Sequence, residues 1–240
     1  MYEEGSIRFG RFAGVPIIWN FTLLFIPAIT FLNFSSFGLA PRSVLTVALS
    51  AAVIVSILLH EAGHVWMARR FRIGTEAIVL HGFGGLALLA RRPYRRSDQI
   101  WISVAGPLVN LALALVGFAL LHAVEALVIP VDSRWPGAGS VWGNALIAFV
   151  RTFARINLLL GLINLLPALP LDGGAIARSL LARWFADLTA LRITAGVGIF
   201  VSLWLCTGAG VMGVGALAMG LLLVFLNILA LRRPYDFLDL

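Results

Sequence analysis

The stretch VLTVALSAAVIVSILLHEAGH, residues 44–64, places two histidines and a glutamate at the end of a long apolar run. Val44 to Leu59 contains no charged residue. On a helix, His60 and His64 are four residues apart and lie on one face, so both imidazoles can reach a single metal ion. Glu61 lies on the neighbouring flank, where its carboxylate could take a proton from a water that the metal activates. The stretch therefore predicts a metal-binding helix inside a membrane.

Composition places the rest of the chain in a membrane as well. Of the 240 residues, 60% are hydrophobic and only 12% are charged, and the mean hydropathy is +0.98. These values exclude an ordinary soluble domain. The formal net charge is +7, but the arginines that cause it lie between apolar runs and not on one polar face. A nucleic-acid partner is therefore not expected.

Six apolar segments are long enough to be candidate membrane spans. We expect them near residues 13–33, 43–67, 98–121, 143–167, 189–208 and 210–231. The cluster Thr207-Gly208-Ala209-Gly210 provides a turn between the last two spans. The predicted fold is an all-α polytopic membrane protein with about six transmembrane helices. We expect one domain over residues 1–240, since an added soluble domain of ~100 residues would leave too little chain for the spans.

The arginines predict how these spans are oriented. They cluster before the first span, between the second and third, between the fourth and fifth, and after the sixth, whereas the alternate loops contain only Arg42 and Arg134. Under the positive-inside rule, both termini are then cytoplasmic in a multi-pass protein of the cell membrane. His60 and His64 would lie toward the cytoplasmic end of the second helix.

A third metal ligand is needed, because two histidines leave a catalytic zinc one protein ligand short of the usual three. The segment NLLPALPLDGG, residues 164–174, contains the next candidate, Asp172. Pro167 and Pro170 interrupt the helix, and the glycine pair lets the backbone turn sharply, so that an irregular segment can present this carboxylate. An alternative is that Asp172 is only the N-cap of a helix starting at Gly173.

The segment HGFGGLALLA, residues 81–90, lies between the second and third spans. Its glycines precede an apolar run that ends at Arg91 and is too short to cross a membrane. We expect a short membrane-associated strand or hairpin there, on the cytoplasmic side. A substrate could add a strand to its free edge. An ordinary interfacial loop is the alternative.

Three motifs together resemble the site-2 protease family of intramembrane zinc metallopeptidases. They are HEAGH at residues 60–64, AGPLVN at 105–110 and NLLPALPLDGG at 164–174. Their order and spacing agree with the family over the core from about residue 45 to residue 180. The combination is more specific than HEAGH alone.

The resemblance implies a role for each candidate residue. It assigns one zinc ion per chain to three ligands, His60, His64 and Asp172. It makes Glu61 the catalytic acid/base, and it suggests that Asn110 and Asn164 line the site as polar helpers. Hydrogen bonding between helices is an alternative explanation for both asparagines.

The implied activity is cleavage of peptide bonds within or near transmembrane segments of membrane-tethered proteins, with a single-span membrane protein as the substrate. Many family members carry a PDZ domain or a C-terminal nucleotide-sensing domain, and the nine residues after Leu231 leave room for neither. Two other functions stay open: a divalent-metal transporter whose His and Asp residues form a transit site, and a non-catalytic membrane scaffold. No feature of the sequence indicates an oligomeric state.

Overall fold

The computed structural model of this protein describes residues 6–82, 84–132, 140–207 and 214–238. The described strands are β1 (Ser6–Phe12), β2 (Val15–Asn20), β3 (Thr75–His81) and β4 (Gly84–Leu89). The described α-helices are α1 (Phe25–Asn33), α2 (Leu39–Arg70), α3 (Arg96–Asp132), α4 (Ser140–Asn164), α5 (Asp172–Leu181), α6 (Asp187–Thr207), α7 (Val214–Arg232) and α8 (Pro234–Leu238). A 3-10 helix, Phe21–Leu24, precedes α1.

The chain forms two compact units. The first unit consists of Met1–Arg91 and Leu108–Gly161, and the second consists of Arg92–Pro107 and Leu162–Leu240. Buried aliphatic side chains from the sheet, α1, α2 and α4 form the core of the first unit. A smaller cluster from α6, α7, α8 and the segment before α5 forms the core of the second unit.

Four strands of the first unit form one sheet in the order β1-β2-β3-β4. β2 and β3 are parallel, and the other two pairs are antiparallel. Phe12 pairs with Val15, so β1 and β2 are joined by a two-residue turn. Both turn residues, Ala13 and Gly14, have positive φ angles of 48° and 84°, as the favoured hairpin turns require.

The prediction of one helix over residues 13–33 is wrong in its first part. Residues 15–20 form β2, and only Phe21–Asn33 are helical. The physical reason is pairing: β2 is hydrogen-bonded on both sides, and Ile17 and Ile18 are buried in the sheet. The class "all-α" is therefore also incomplete, since the protein combines long helices with a small sheet. The strand expected within residues 81–90 is confirmed by β4, whose partner β3 precedes that segment and was not predicted.

Four described helices are long and apolar enough to cross a membrane: Leu39–Arg70, Arg96–Ala126, Val141–Asn164 and Asp187–Thr207. Two further apolar helices, Phe21–Asn33 and Leu217–Arg232, are shorter. Large apolar side chains on these helices are exposed, as expected where lipid replaces water. Most of the turn predicted at residues 207–210 lies outside the described residues, as do Phe83 and Arg134.

Candidate active site

His60 and His64 lie on the same face of α2, as their spacing predicts, and both are buried. Their Nε2 atoms are 3.1 Å apart, and their rings are nearly perpendicular at 80°. Two nitrogen ligands about 2.0–2.1 Å from a tetrahedral zinc would be separated by about 3.3 Å. The two imidazoles therefore already have the separation of a chelating pair.

A buried chain of hydrogen-bonded side-chain amides begins at the Nδ1 atom of His60. Asn110 on α3 accepts a hydrogen bond from His60 Nδ1 at 2.5 Å and donates through Nδ2 to Oδ1 of Asn157 on α4 at 3.0 Å. Asn157 donates in turn to the Phe153 carbonyl at 3.0 Å. Asn110 and Asn157 are both fully buried.

The last acceptor of this chain fixes the direction of every hydrogen bond in it. The Phe153 carbonyl can only accept, so the amide nitrogen of Asn157 must face it, and Asn157 Oδ1 must face the amide nitrogen of Asn110. The oxygen of Asn110 is then left for His60, which must carry its proton on Nδ1. In the neutral imidazole the lone pair of His60 is then on Nε2, the atom that faces His64. This is the tautomer that a metal ligand requires.

Glu61 is buried beside the edge strand β4. It is only 3% exposed and, with His60 and His64, forms a group whose ligand atoms all lie within 4.8 Å of one another. A Cβ atom built at Gly85 would lie 2.5 Å from both Cγ and Oε1 of Glu61. Only glycine at residue 85 allows the strand to come this close to the carboxylate. The arrangement brings a buried carboxylate, two imidazoles that could hold a metal ion and an extended backbone together.

The second unit contains the other two predicted site residues. Asp172 is the first residue of α5, and the N-cap is Leu171 (φ −64°, ψ 158°), so the alternative in which Asp172 is the N-cap does not match the structure. Asn164 is the last residue of α4 and is half-buried. The segment between them contains Pro167 and Pro170 and is irregular, as predicted.

Two buried asparagines were not predicted from the sequence. Asn157 continues the chain of amides behind His60, and Asn227 on α7 bonds to the backbone of Leu169 in the second unit. Each is an amide with no exposed surface in an apolar helix. In the sequence, the available signal was an asparagine within an otherwise apolar run. Burying an amide in a membrane helix is costly unless it has a partner, so such a residue is expected to have one.

Comparison with known proteins agrees with this geometry. The model of peptidase family M50 matches residues 48–205. A zinc metalloprotease of Methanocaldococcus jannaschii is 29% identical over 224 residues, which are 93% of this chain and 58% of that protein. A Mycobacterium tuberculosis protein named as the zinc metalloprotease Rip3 is 34% identical over 149 residues, which are 61% of this chain and 33% of that protein.

A solved structure has a similar fold. The site-2 protease from Methanocaldococcus jannaschii superimposes with a TM-score of 0.60 at 27% identity, covering 92% of each chain. The chain spans 58% of the length of one curated relative and 33% of the other. The family model covers the HEAGH helix, the AGPLVN helix and the LDGG segment. The match over residues 48–205, together with the buried His-Glu-His group, shows that this chain belongs to peptidase family M50.

Proposed function

We propose that this protein is an intramembrane zinc metallopeptidase of the site-2 type, which cleaves peptide bonds in or near the transmembrane segments of membrane-tethered proteins. The observation that carries the proposal is the Nε2–Nε2 separation of 3.1 Å between His60 and His64, with buried Glu61 next to them and β4 beside Glu61. A zinc transit site would need the histidines but would not need a carboxylate facing an edge strand.

Zinc is the metal of this site, and the donor set fits it. Nitrogen donors at tetrahedral spacing suit zinc, and the tautomer imposed on His60 leaves its Nε2 lone pair available. Asp172 completes the usual three protein ligands in this proposal. Its support is the irregular, proline-bearing segment that ends at a carboxylate, since irregular backbone at membrane depth is otherwise avoided. Asn164, at the start of that segment, is proposed as a polar residue lining the site.

The side chains of this protein carry out the proton transfers and orient the metal-binding ring. When bound, zinc supplies the Lewis acidity that makes water a competent nucleophile near neutral pH. Glu61 takes a proton from the attacking water and returns it to the leaving amine, so that one carboxylate acts first as base and then as acid. Asn110 keeps the His60 ring in one orientation and one tautomer. One N–H of its amide donates to Asn157, and this second bond supports the positioning role.

The edge of β4 is the proposed binding surface for the substrate. A peptide bond inside a helix is hydrogen-bonded and covered by side chains, so a substrate helix must unwind before attack. Strand addition to β4 would satisfy the backbone groups that unwinding releases. Within the described residues, β4 pairs with one strand only. Gly85, which has no side chain, lets β4 approach Glu61 closely. The expected substrate is a single-span membrane protein.

The membrane arrangement is proposed from length and charge. Four helices can span a bilayer, and Phe21–Asn33 and Leu217–Arg232 would complete about six spans. The arginine clusters support cytoplasmic termini. The orientation is tested by replacing the single cysteine (Cys206→Ser), introducing Ser6→Cys or the exposed Tyr235→Cys, and labelling intact cells with an impermeant reagent. Labelling at either terminus before lysis would contradict this orientation.

The catalytic proposal is tested with matched variants in liposomes. We expect Glu61→Gln to keep zinc bound and to abolish cleavage, whereas His64→Ala loses both. Ser56→Ala removes a buried hydroxyl that, among the described residues, bonds only within α2, so it should change neither. Membrane proteomes of cells that express the wild type or Glu61→Gln identify the substrate, as a single-span protein that accumulates with the variant.

The same vesicles separate the proposal from its alternatives. Zinc uptake that does not depend on Glu61, without cleavage of any helical substrate, would identify a transporter. Bound zinc with neither uptake nor cleavage would identify a scaffold. Substantial cleavage by Glu61→Gln would overturn the role of Glu61 as the base.

A further inference from the structure

We propose that Asn227 is a positioning residue for Asp172, and that it acts by clamping the backbone segment that carries this carboxylate. The inference rests on the proposed function, in which Asp172 is the third zinc ligand. All the contacts that carry it lie within the second unit.

The segment of residues 165–171 needs an external partner for its backbone. Pro167 and Pro170 have no N–H group. Ala168 N donates to the Leu166 carbonyl at 2.8 Å, and Leu171 N donates to the Ala168 carbonyl at 2.9 Å. Leu169 lies within the second of these turns and is buried, at 6% exposure. A buried N–H or carbonyl without a partner is costly, and more so in a membrane.

The side chain of Asn227 satisfies both backbone groups of Leu169. Its Oδ1 accepts from Leu169 N at 3.1 Å, and its Nδ2 donates to Leu169 O at 2.8 Å. The second N–H of the amide reaches the Leu223 carbonyl, also at 2.8 Å, on its own helix. Both N–H groups of the amide are thus engaged. The amide holds Leu169 as a paired residue in an antiparallel sheet would hold it.

A glycine on α6 makes room for this clamp. A Cβ atom built at Gly198 would lie 2.2 Å from Asn227 Oδ1 and 3.0 Å from Ala168 Cα. Gly196, two residues earlier on the same helix, has nothing within 4 Å of its built Cβ. The two glycines therefore differ in their relation to Asn227, which provides a matched pair for experiment.

The clamped segment is packed directly against the first turn of α5. A Cβ atom built at Gly173 would lie 2.2 Å from the Leu165 carbonyl oxygen, and one built at Gly174 would lie 2.6 Å from that of Ala168. Asp172 immediately precedes these glycines and follows Leu169 by three residues. The backbone that carries the carboxylate is therefore coupled to the segment that Asn227 fixes.

The test measures zinc affinity by chelator competition in the detergent-solubilised full chain. We expect Asn227→Leu to weaken zinc binding about 10- to 100-fold, as the loss of other outer-shell partners does. Ser202→Ala removes a fully buried hydroxyl whose bond in the described part of the chain is to the Gly198 carbonyl of α6, and it should leave the affinity unchanged. The melting temperature of the zinc-free protein shows whether each variant is folded.

A double-mutant cycle separates positioning from a general structural role. If Asn227 acts through Asp172, then Asn227→Leu should have no further effect on zinc affinity once Asp172→Ala is present. Additive effects of the two substitutions would overturn the proposal. Unchanged affinity in Asp172→Ala alone would instead contradict the proposed ligand set, so the two failures are distinguishable.

A second variant covers the case in which Asn227→Leu does not fold. Gly198→Ala crowds Asn227 Oδ1, and Gly196→Ala is its control in the same helix. We expect only Gly198→Ala to weaken zinc binding. Equal zinc affinity in these two variants would refute the clamp.

Discussion

The hydrogen bond between Asn110 and His60 gives the sharpest quantitative prediction. Asn110→Leu keeps a side chain of similar size but removes the acceptor that His60 Nδ1 uses at 2.5 Å. It also removes the donor to Asn157. Without zinc, the imidazole can rotate to find another partner. With zinc bound, the metal fixes the ring, so the Nδ1–H group stays buried and unpaired. The substitution should therefore weaken zinc binding specifically.

The expected magnitude follows from the cost of that unpaired group. A buried donor without a partner costs about 1–3 kcal/mol. Because Asn110 is fully buried, water cannot replace it, and the full cost should apply. At about 1.4 kcal/mol per tenfold, zinc affinity should fall about 5- to 150-fold. Substitution of outer-shell partners in other metal sites costs about 10–100-fold, which lies in the same range.

The assay is chelator competition on the wild type, Asn110→Leu and Asn157→Leu. Asn157 contacts His60 only through Asn110, so Asn157→Leu should weaken zinc binding by less than Asn110→Leu. Ser56→Ala again controls for the loss of a buried polar group on α2. Zinc affinity within threefold of wild type in a folded Asn110→Leu protein would refute the reasoning, as would a larger effect from Asn157→Leu.

Three further predictions follow from contacts in the first unit. Gly85→Ala must displace the Glu61 carboxylate, because the new Cβ would lie 2.5 Å from Oε1. The kcat should therefore fall about 100-fold, with unchanged zinc content. A normal kcat would contradict the placement of β4. Glu125 accepts a hydrogen bond from Arg151 at 2.7 Å. In liposomes, Glu125→Gln should therefore lower the melting temperature more in the wild-type background than in the Arg151→Gln background. Equal losses in the two backgrounds would show that the pair is not coupled. Chelation of zinc should abolish cleavage and leave the helical content unchanged. Zinc, but not magnesium, should restore activity, because the donors are imidazoles. Restoration by magnesium would argue against this site.

Much of the helical framework was predictable, because the signals that define it are local. The apolar run before His60 specified a membrane helix, and the spacing of the two histidines placed both on one face of α2. Pro167 and Pro170 located the break before α5. The hairpin of β1 and β2 was missed, although alternation in SIRFGRF and the Ala13-Gly14 turn were visible signals. The apolar run that follows favoured a longer helix over a strand.

The amino-acid sequence by itself determined the membrane class, the metal-binding helix and the three motifs, since each depends on composition or on spacing within about one helical turn. Only the tertiary structure decided which groups face each other. Asn110 contacts His60 from 50 residues away, and Asn227 contacts Leu169 from 58 residues away. Such contacts leave no periodic signal in the chain, because an amide in an apolar helix looks the same whether it holds a metal ligand, a loop or another helix. The partner is chosen by how the helices pack, and that packing fixes the tautomer of His60 and the backbone in front of Asp172.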